Sequence, residues 1–214
     1  MKVLIACEES QEVCKAFRAK GHEAYSCDVI PCSGGHPEWH LQCDATQLLK
    51  ISWDMIIAFP PCTYLSNAGA CRLYPQKGVL NQSRYEKGLA AKDFFLQFYN
   101  AKCPRIAVEN PVSSRIYKMP PHTQEIQPFQ YGHPYTKKTR LWLKGLPPLV
   151  PTEVVQPIGP YIPSGTGRKD KSKYGIANSA KIRSKTFSGI AQAMAEQWGN
   201  IKEDESDDSD ERGI

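Results

Sequence analysis

The sequence predicts an α/β fold built on a parallel sheet, and three observations predict it. The chain opens on an apolar run at residues 2–7 followed by a helical stretch. A second apolar run, Met55-Ile56-Ile57-Ala58-Phe59, stops at Pro60-Pro61, and a third, Ile106-Ala107-Val108, stops at Glu109-Asn110-Pro111. Between those two, residues 83–101 place Leu89, Ala90, Phe94, Phe95 and Phe98 at helical spacing. A strand, a crossover helix and a second strand make parallel neighbours, and open sheets of that kind hold ligands at the carboxyl ends of their strands.

Taken in order, residues 2–7 read as a buried strand. Ser10 is positioned to cap a helix through Val13 and Phe17, with Gly21 as its stop. Residues 23–27 form a second strand ending at Asp28, an acid placed either to hold a ribose or to make a turn. Residues 31–44 are too irregular for either periodicity. They gather Cys27, Cys32, His36, His40 and Cys43, but with no CxxC knuckle an ordered loop near the substrate is expected there and no metal. Asp44 is an N-cap or a strand-edge ligand for a helical turn at 45–49. Residues 67–78 are small and polar, a mobile segment beside the site, with Arg72 in reach of a phosphate. Residues 124–131 read as a strand and 140–143 as a clear one. Ile190, Ala193, Met194, Gln197 and Trp198 then give a helix closed by Gly199.

The 214 residues suffice for one substantial core, and a single domain over residues 1–202 is expected. Within it, residues 146–185 form a proline- and glycine-rich basic arm, and residues 186–199 a helix that packs back on the sheet. No apolar run nears the roughly 20 residues of a membrane span. With no export signal, a cytoplasmic protein with reduced thiols is expected despite eight cysteines. The net charge of +5 is unevenly spread, because residues 203–212 hold seven acids and one base. Without that stretch, 26 bases face 15 acids, a balance suited to a polyanion such as nucleic acid. The acidic end, residues 203–214, is expected to be disordered and to offer a surface to a protein partner. Residues 161–185 carry seven bases, one acid and two tyrosines, which reads as a nucleic-acid contact or as a surface linker.

A thiol at one strand tip and a carboxylate at the next also occur in thiol hydrolases, but those require a histidine base. None of the five histidines (22, 36, 40, 122, 133) sits at an obvious strand tip. Attack of a thiolate on an electron-poor pyrimidine fits better, with a protonated carboxyl matching ring nitrogen 3 and the exocyclic amine of cytosine.

These residues resemble the cytosine-5 DNA methyltransferases, in particular short phage-type members. Pro60-Pro61-Cys62-Thr63-Tyr64-Leu65-Ser66 is similar to that family's Pro-Pro-Cys-Gln-x-Phe-Ser loop, and Glu109-Asn110 followed by Pro111 to its Glu-Asn-Val. Thr136, Lys138 and Arg140 resemble a degraded Gln-x-Arg-x-Arg. The resemblance spans roughly residues 1–145. It implies a Rossmann-like methyltransferase sheet with helices on both faces, S-adenosylmethionine as cofactor, and DNA as substrate, double-stranded with a flipped cytosine. It implies Cys62 as nucleophile toward carbon 6, Glu109 on the amidine edge, and Arg140 on the base carbonyl or orienting Glu109. Ser66, Arg72, Lys138 and the arm residues Arg168, Lys169, Lys171 and Lys173 are the expected nucleic-acid contacts. The chain departs from the pattern in its first turn, Ala6-Cys7-Glu8-Glu9-Ser10-Gln11, which has no glycine; Glu8, Ser10, Asp28, Asp44 and Pro60 are the expected cofactor contacts by position. It departs also in residues 146–185, too few for a second target-recognition domain. A catalytically silent DNA-binding or decoy protein of the same fold, or carbon-5 modification of another pyrimidine substrate in RNA or a nucleotide, is the alternative.

Overall fold

A computed structural model describes residues 1–161 and 184–201 of the chain. Its centre is β1 (Lys2–Ala6), which pairs in parallel with β2 (Glu23–Asp28) on one side and β4 (Met55–Ala58) on the other. Beyond β2 lies β3 (His40–Gln42), and beyond β4 lies β5 (Ile106–Pro111), both parallel. Two antiparallel strands, β8 (Thr139–Lys144) and β6 (Gln124–Ile126), complete a seven-stranded sheet of order β3-β2-β1-β4-β5-β8-β6. A short parallel pair, β7 (Tyr135–Thr136) with β9 (Gly159–Pro160), stands apart. This is the Rossmann-like sheet expected, and its strand order reverses between β1 and β4, the crevice where such sheets bind ligands.

Alternation along the buried strands fills two cores. Val3, Ile5, Met55, Ile57, Ala107 and Leu141 point to the face covered by α1 (Glu12–Ala19) and the C-terminal helix, through residues such as Phe17, Met194 and Trp198. Leu4, Ala6, Ile56, Ala58, Ile106, Val108 and Trp142 point to the other face. That face is covered by α3 (Gln82–Tyr99), which follows a four-residue turn α2 (Ala70–Leu73) and contributes Phe95 and Phe98. The C-terminal helix α4 (Ser188–Trp198) is closed at Gly199, as its apolar spacing predicts.

Four expectations are corrected. Ser10 does not cap α1; the cap position is Gln11 in a left-handed conformation, φ 60°, and Glu8 takes over the capping. The irregular stretch 31–44 contains β3, too short and too polar to show a period, held by its ladder to β2. The strand expected over 124–131 ends at Ile126 because Pro128 starts a 3-10 turn. Residues 146–161 are no free arm. They form a strap whose backbone bonds to residues 129–136, as in Val155 N–H to Phe129 O (2.9 Å) and Tyr161 N–H to Thr136 O (2.9 Å). No described helix is long and apolar enough to cross a membrane.

Candidate active site

The loop after β4 and the chain leaving β5 are tied together at the carboxyl end of the sheet. The β4–β5 ladder ends at Ala58 opposite Val108, so Phe59 and Glu109 continue side by side. Beyond them, Asn67 N–H donates to Val112 O (2.8 Å), Ser114 N–H donates to Leu65 O (2.8 Å), and Ser66 faces Ser113 in an isolated antiparallel bridge. Leu65, fully buried, pins the loop to the α3 core. Cys62 is half-buried, and its carbonyl accepts from Ser66 N–H at 2.9 Å, closing the turn that carries the thiol. Arg84 of α3, which the sequence reading missed, donates from Nη2 to Thr63 O (2.8 Å) and lies over the Tyr64 ring.

Glu109 points to the α1/α4 face, where it lines a cavity of about 30 Å³ with Phe59, Ile126, Lys137, Thr139 and residues 184–187. Burial pushes its carboxyl above the ordinary carboxylate range, opposed by the charge of Lys137. Across the β5–β8 ladder Glu109 faces Leu141, whereas Arg140 faces Asn110. Opposed residues of an antiparallel pair project to one side, so Arg140 lies on the other face of the sheet from Glu109. There its Nε is 3.4 Å from Glu125 Oε2, and Lys138 Nζ is 3.2 Å from Glu125 Oε1. Arg140 as the group that orients Glu109 is therefore corrected. Lys137 and Thr139, offset by one from the Thr136, Lys138, Arg140 pattern, share the Glu109 side. The alternation of β8 was the available signal for them.

The first turn is built without glycine, yet Cys7 (φ 59°) and Gln11 (φ 60°) adopt the left-handed conformation glycine favours. Glu8 is buried and turned inward: its carboxylate accepts from Val13 N–H (2.7 Å) and Cys14 N–H (3.2 Å), filling the first amides of α1. Burial pushes its carboxyl up to about 7 against those two bonds. Ser10 is covered as well. Gly34 packs so closely on Ser10 O and the Gln11 side chain that a Cβ would meet both, and Gln11 binds the backbone of His36 through its amide, with Oε1 accepting from N–H at 3.0 Å and Nε2 donating to O at 2.8 Å. Glu8 as a cofactor contact is thus corrected, its carboxylate being held by the α1 amides, and Ser10 is buried with Gly34 packed on its carbonyl.

Asp28 and Asp44 remain at the tips of β2 and β3, where burial first and then their charges push the Cys7 thiol up. Asp28 Oδ1 accepts from Ile30 N–H (3.2 Å), and Asp44 Oδ1 caps the following turn through Thr46 N–H (2.9 Å). Pro60 is buried in the loop after β4, Ser66 is fixed through its backbone, and Arg72 is exposed on α2. The irregular loop after β2 is held by His40, whose Nδ1 is 2.9 Å from Ser26 Oγ, and by the stacked pair His36 and Trp39. Cys27 lies 3.8 Å from Cys43, sulfur to sulfur. Arg168, Lys169, Lys171 and Lys173 lie outside the described residues, as does the acidic stretch 203–214. The two flanks of that arm are described: Tyr161 packs on Phe187 (ring centroids 4.7 Å apart) and on Tyr135 (5.4 Å), with Lys137 Nζ over both Tyr161 and Phe187.

No family model and no curated protein matches this chain. Among solved structures it is similar to a proposed DNA modification methyltransferase encoded within a prophage of E. coli, with a TM-score of 0.43 and 14% identity over 73% of this chain and 52% of that one. This chain therefore spans about half the length of that protein, and the fold assignment stands on the strand order itself.

Proposed function

We propose that this protein transfers a methyl group from S-adenosylmethionine to carbon 5 of a cytosine in DNA through a covalent adduct with Cys62. The observation that carries the reading is the joining of the Cys62 loop to the Glu109 strand end at the carboxyl end of a Rossmann-like sheet, one strand from its switch point. The Cys62 thiolate adds to carbon 6, and the electron pair of the 5,6 double bond moves to carbon 5. The Glu109 carboxyl, held toward its protonated form, donates to ring nitrogen 3 and accepts from the exocyclic amine. Once carbon 5 carries the methyl group, its proton leaves to solvent and Cys62 is expelled as thiolate. The cavity at Glu109 holds about one water, so admitting a pyrimidine requires the wall at residues 184–187 to move outward.

Bound S-adenosylmethionine supplies the electrophilic methyl group. The donor set fits it at the strand tips: Asp28 and Asp44 suit ribose hydroxyls and an adenine amine, and the left-handed Cys7 keeps the backbone of a glycine turn. Pro60 would wall the crevice. Glu8 already occupies the α1 amides, which favours as a second reading a DNA-binding protein without transfer. The discriminating experiment follows a labelled methyl group from S-adenosylmethionine into DNA. Incorporation by wild type and none by Cys62→Ala supports transfer; DNA binding with no incorporation and no cofactor binding by calorimetry supports the silent reading. A cytosine ring also differs from its analogue by one atom only, so absence of a 5-fluorocytosine adduct under turnover conditions removes the covalent step.

A further inference from the structure

Away from Glu109, the α3 side of the Cys62 loop carries further cations, of which only Arg84 has a role above. Residues 67–118 hold nine bases against three acids, and one of the acids, Glu109, faces the other side of the sheet. Arg84 Cζ is 5.0 Å and Lys87 Nζ 5.8 Å from the centre of the Tyr64 ring, two residues after Cys62. The 3-10 turn at Arg115–Tyr117 is drawn onto α3 at Gly88, where Tyr117 leaves no room for a Cβ, and Tyr85 stacks on Tyr117. Lys92 Nζ donates to Lys118 O at 3.1 Å. The packing thus sets Arg115 and Lys118, both exposed, beside the helix that carries Arg84 and Lys87. Among the described residues none of these four cations has a carboxylate partner.

Unpaired cations gathered on one face repel each other until a polyanion neutralises them. We infer that Arg84 and Lys87, over Tyr64, together with Arg115 and Lys118 beside the same helix, form a binding face for the phosphate backbone of the DNA strand whose base meets Cys62. The inference rests on the proposed DNA substrate and adds a grip on the α3 side, across the sheet from the flanks of the basic arm. An acidic protein would satisfy the charge alone, but the bond from Arg84 to the Cys62 loop and the tyrosine ring shared by two cations favour a nucleic-acid strand.

The test is a salt titration of a labelled DNA duplex, without cofactor, by fluorescence anisotropy. The triple variant Lys87→Gln, Arg115→Gln, Lys118→Asn leaves Arg84 in place to hold Thr63, and asparagine tolerates the φ of 45° at position 118. Each lost phosphate contact lowers the slope of log K against log salt by about 0.9, so a fall of about two to three is expected, with an unchanged thermal midpoint. Lys87→Gln alone, expected to lower it by about one, decides the matter if the triple variant melts early. An unchanged slope overturns the inference, and so does a wild type that binds DNA no more tightly than the variant or a face that captures only acidic protein. Failure of methyl transfer in wild type with the slope change intact sinks the transfer reading and leaves the face standing.

Discussion

Arg140 stands opposite Asn110 across the β5–β8 ladder, while Glu109 stands opposite Leu141, so the cation that the motif assigns to Glu109 projects from the other face of the sheet. The charge that reaches Glu109 is that of Lys137, which lines the same cavity.

Lys137→Gln and Arg140→Gln are therefore expected to part company. Removing Lys137 withdraws the charge that holds the Glu109 pKa down, so the basic limb of the transfer rate against pH moves to higher pH. Removing Arg140 leaves that limb in place and costs less than about 1 kcal/mol, since its pair with Glu125 is part-exposed and screened. Matching pH–rate profiles for the two variants would refute the assignment.

Glu109→Gln keeps one donor and one acceptor but loses the proton. Transfer should drop by roughly 10²- to 10³-fold, and the residual rate should no longer fall on the basic side. In wild type the folded Glu109 pKa is raised, so its contribution to stability is complete below the unfolded carboxylate value and is lost as pH rises through the folded one. Urea midpoints of the two proteins against pH measure this directly.

Glu8 makes the same prediction with a window. Its carboxyl is pushed from 4.5 to about 7, so the folded state holds the proton more tightly than the unfolded chain. Stability from this group is present below about 4.5, declines between there and 7, and is gone above, a change of about 3 kcal/mol at most. Glu8→Gln should flatten that decline while lowering stability overall by about 1–3 kcal/mol, because one α1 amide loses its acceptor.

The left-handed Cys7 gives a stability contrast at one position. Cys7→Gly relieves a backbone cost of about 1–2 kcal/mol and should melt no earlier than wild type. Cys7→Val, β-branched where φ is 59°, should melt markedly earlier. If glycine destabilises as much as valine, the turn is held by the thiol's contacts and not by its backbone.

The parallel frame was legible because its strands are continuous apolar runs ended by Asp28, Pro60 and Pro111, and because Phe94, Phe95 and Phe98 mark the crossover. The pairing of the Cys62 loop with the Glu109 strand end followed from that frame. What escaped depends on which way single side chains turn. Glu8 and Arg140 are polar residues at the right sequence positions, but Glu8 faces the α1 amides and Arg140 faces Glu125, and a motif carries no register. β3 escaped because three residues cannot show a period. The strap at 146–161 escaped because its order comes from long-range backbone bonds to residues 129–136, invisible in a stretch rich in proline.

The contact between Tyr161 and Phe187 closes the chain on itself across a long stretch of sequence, and Phe187 is at the same time part of the wall of the Glu109 cavity. Whatever loosens that ring pair therefore loosens the cavity wall with it.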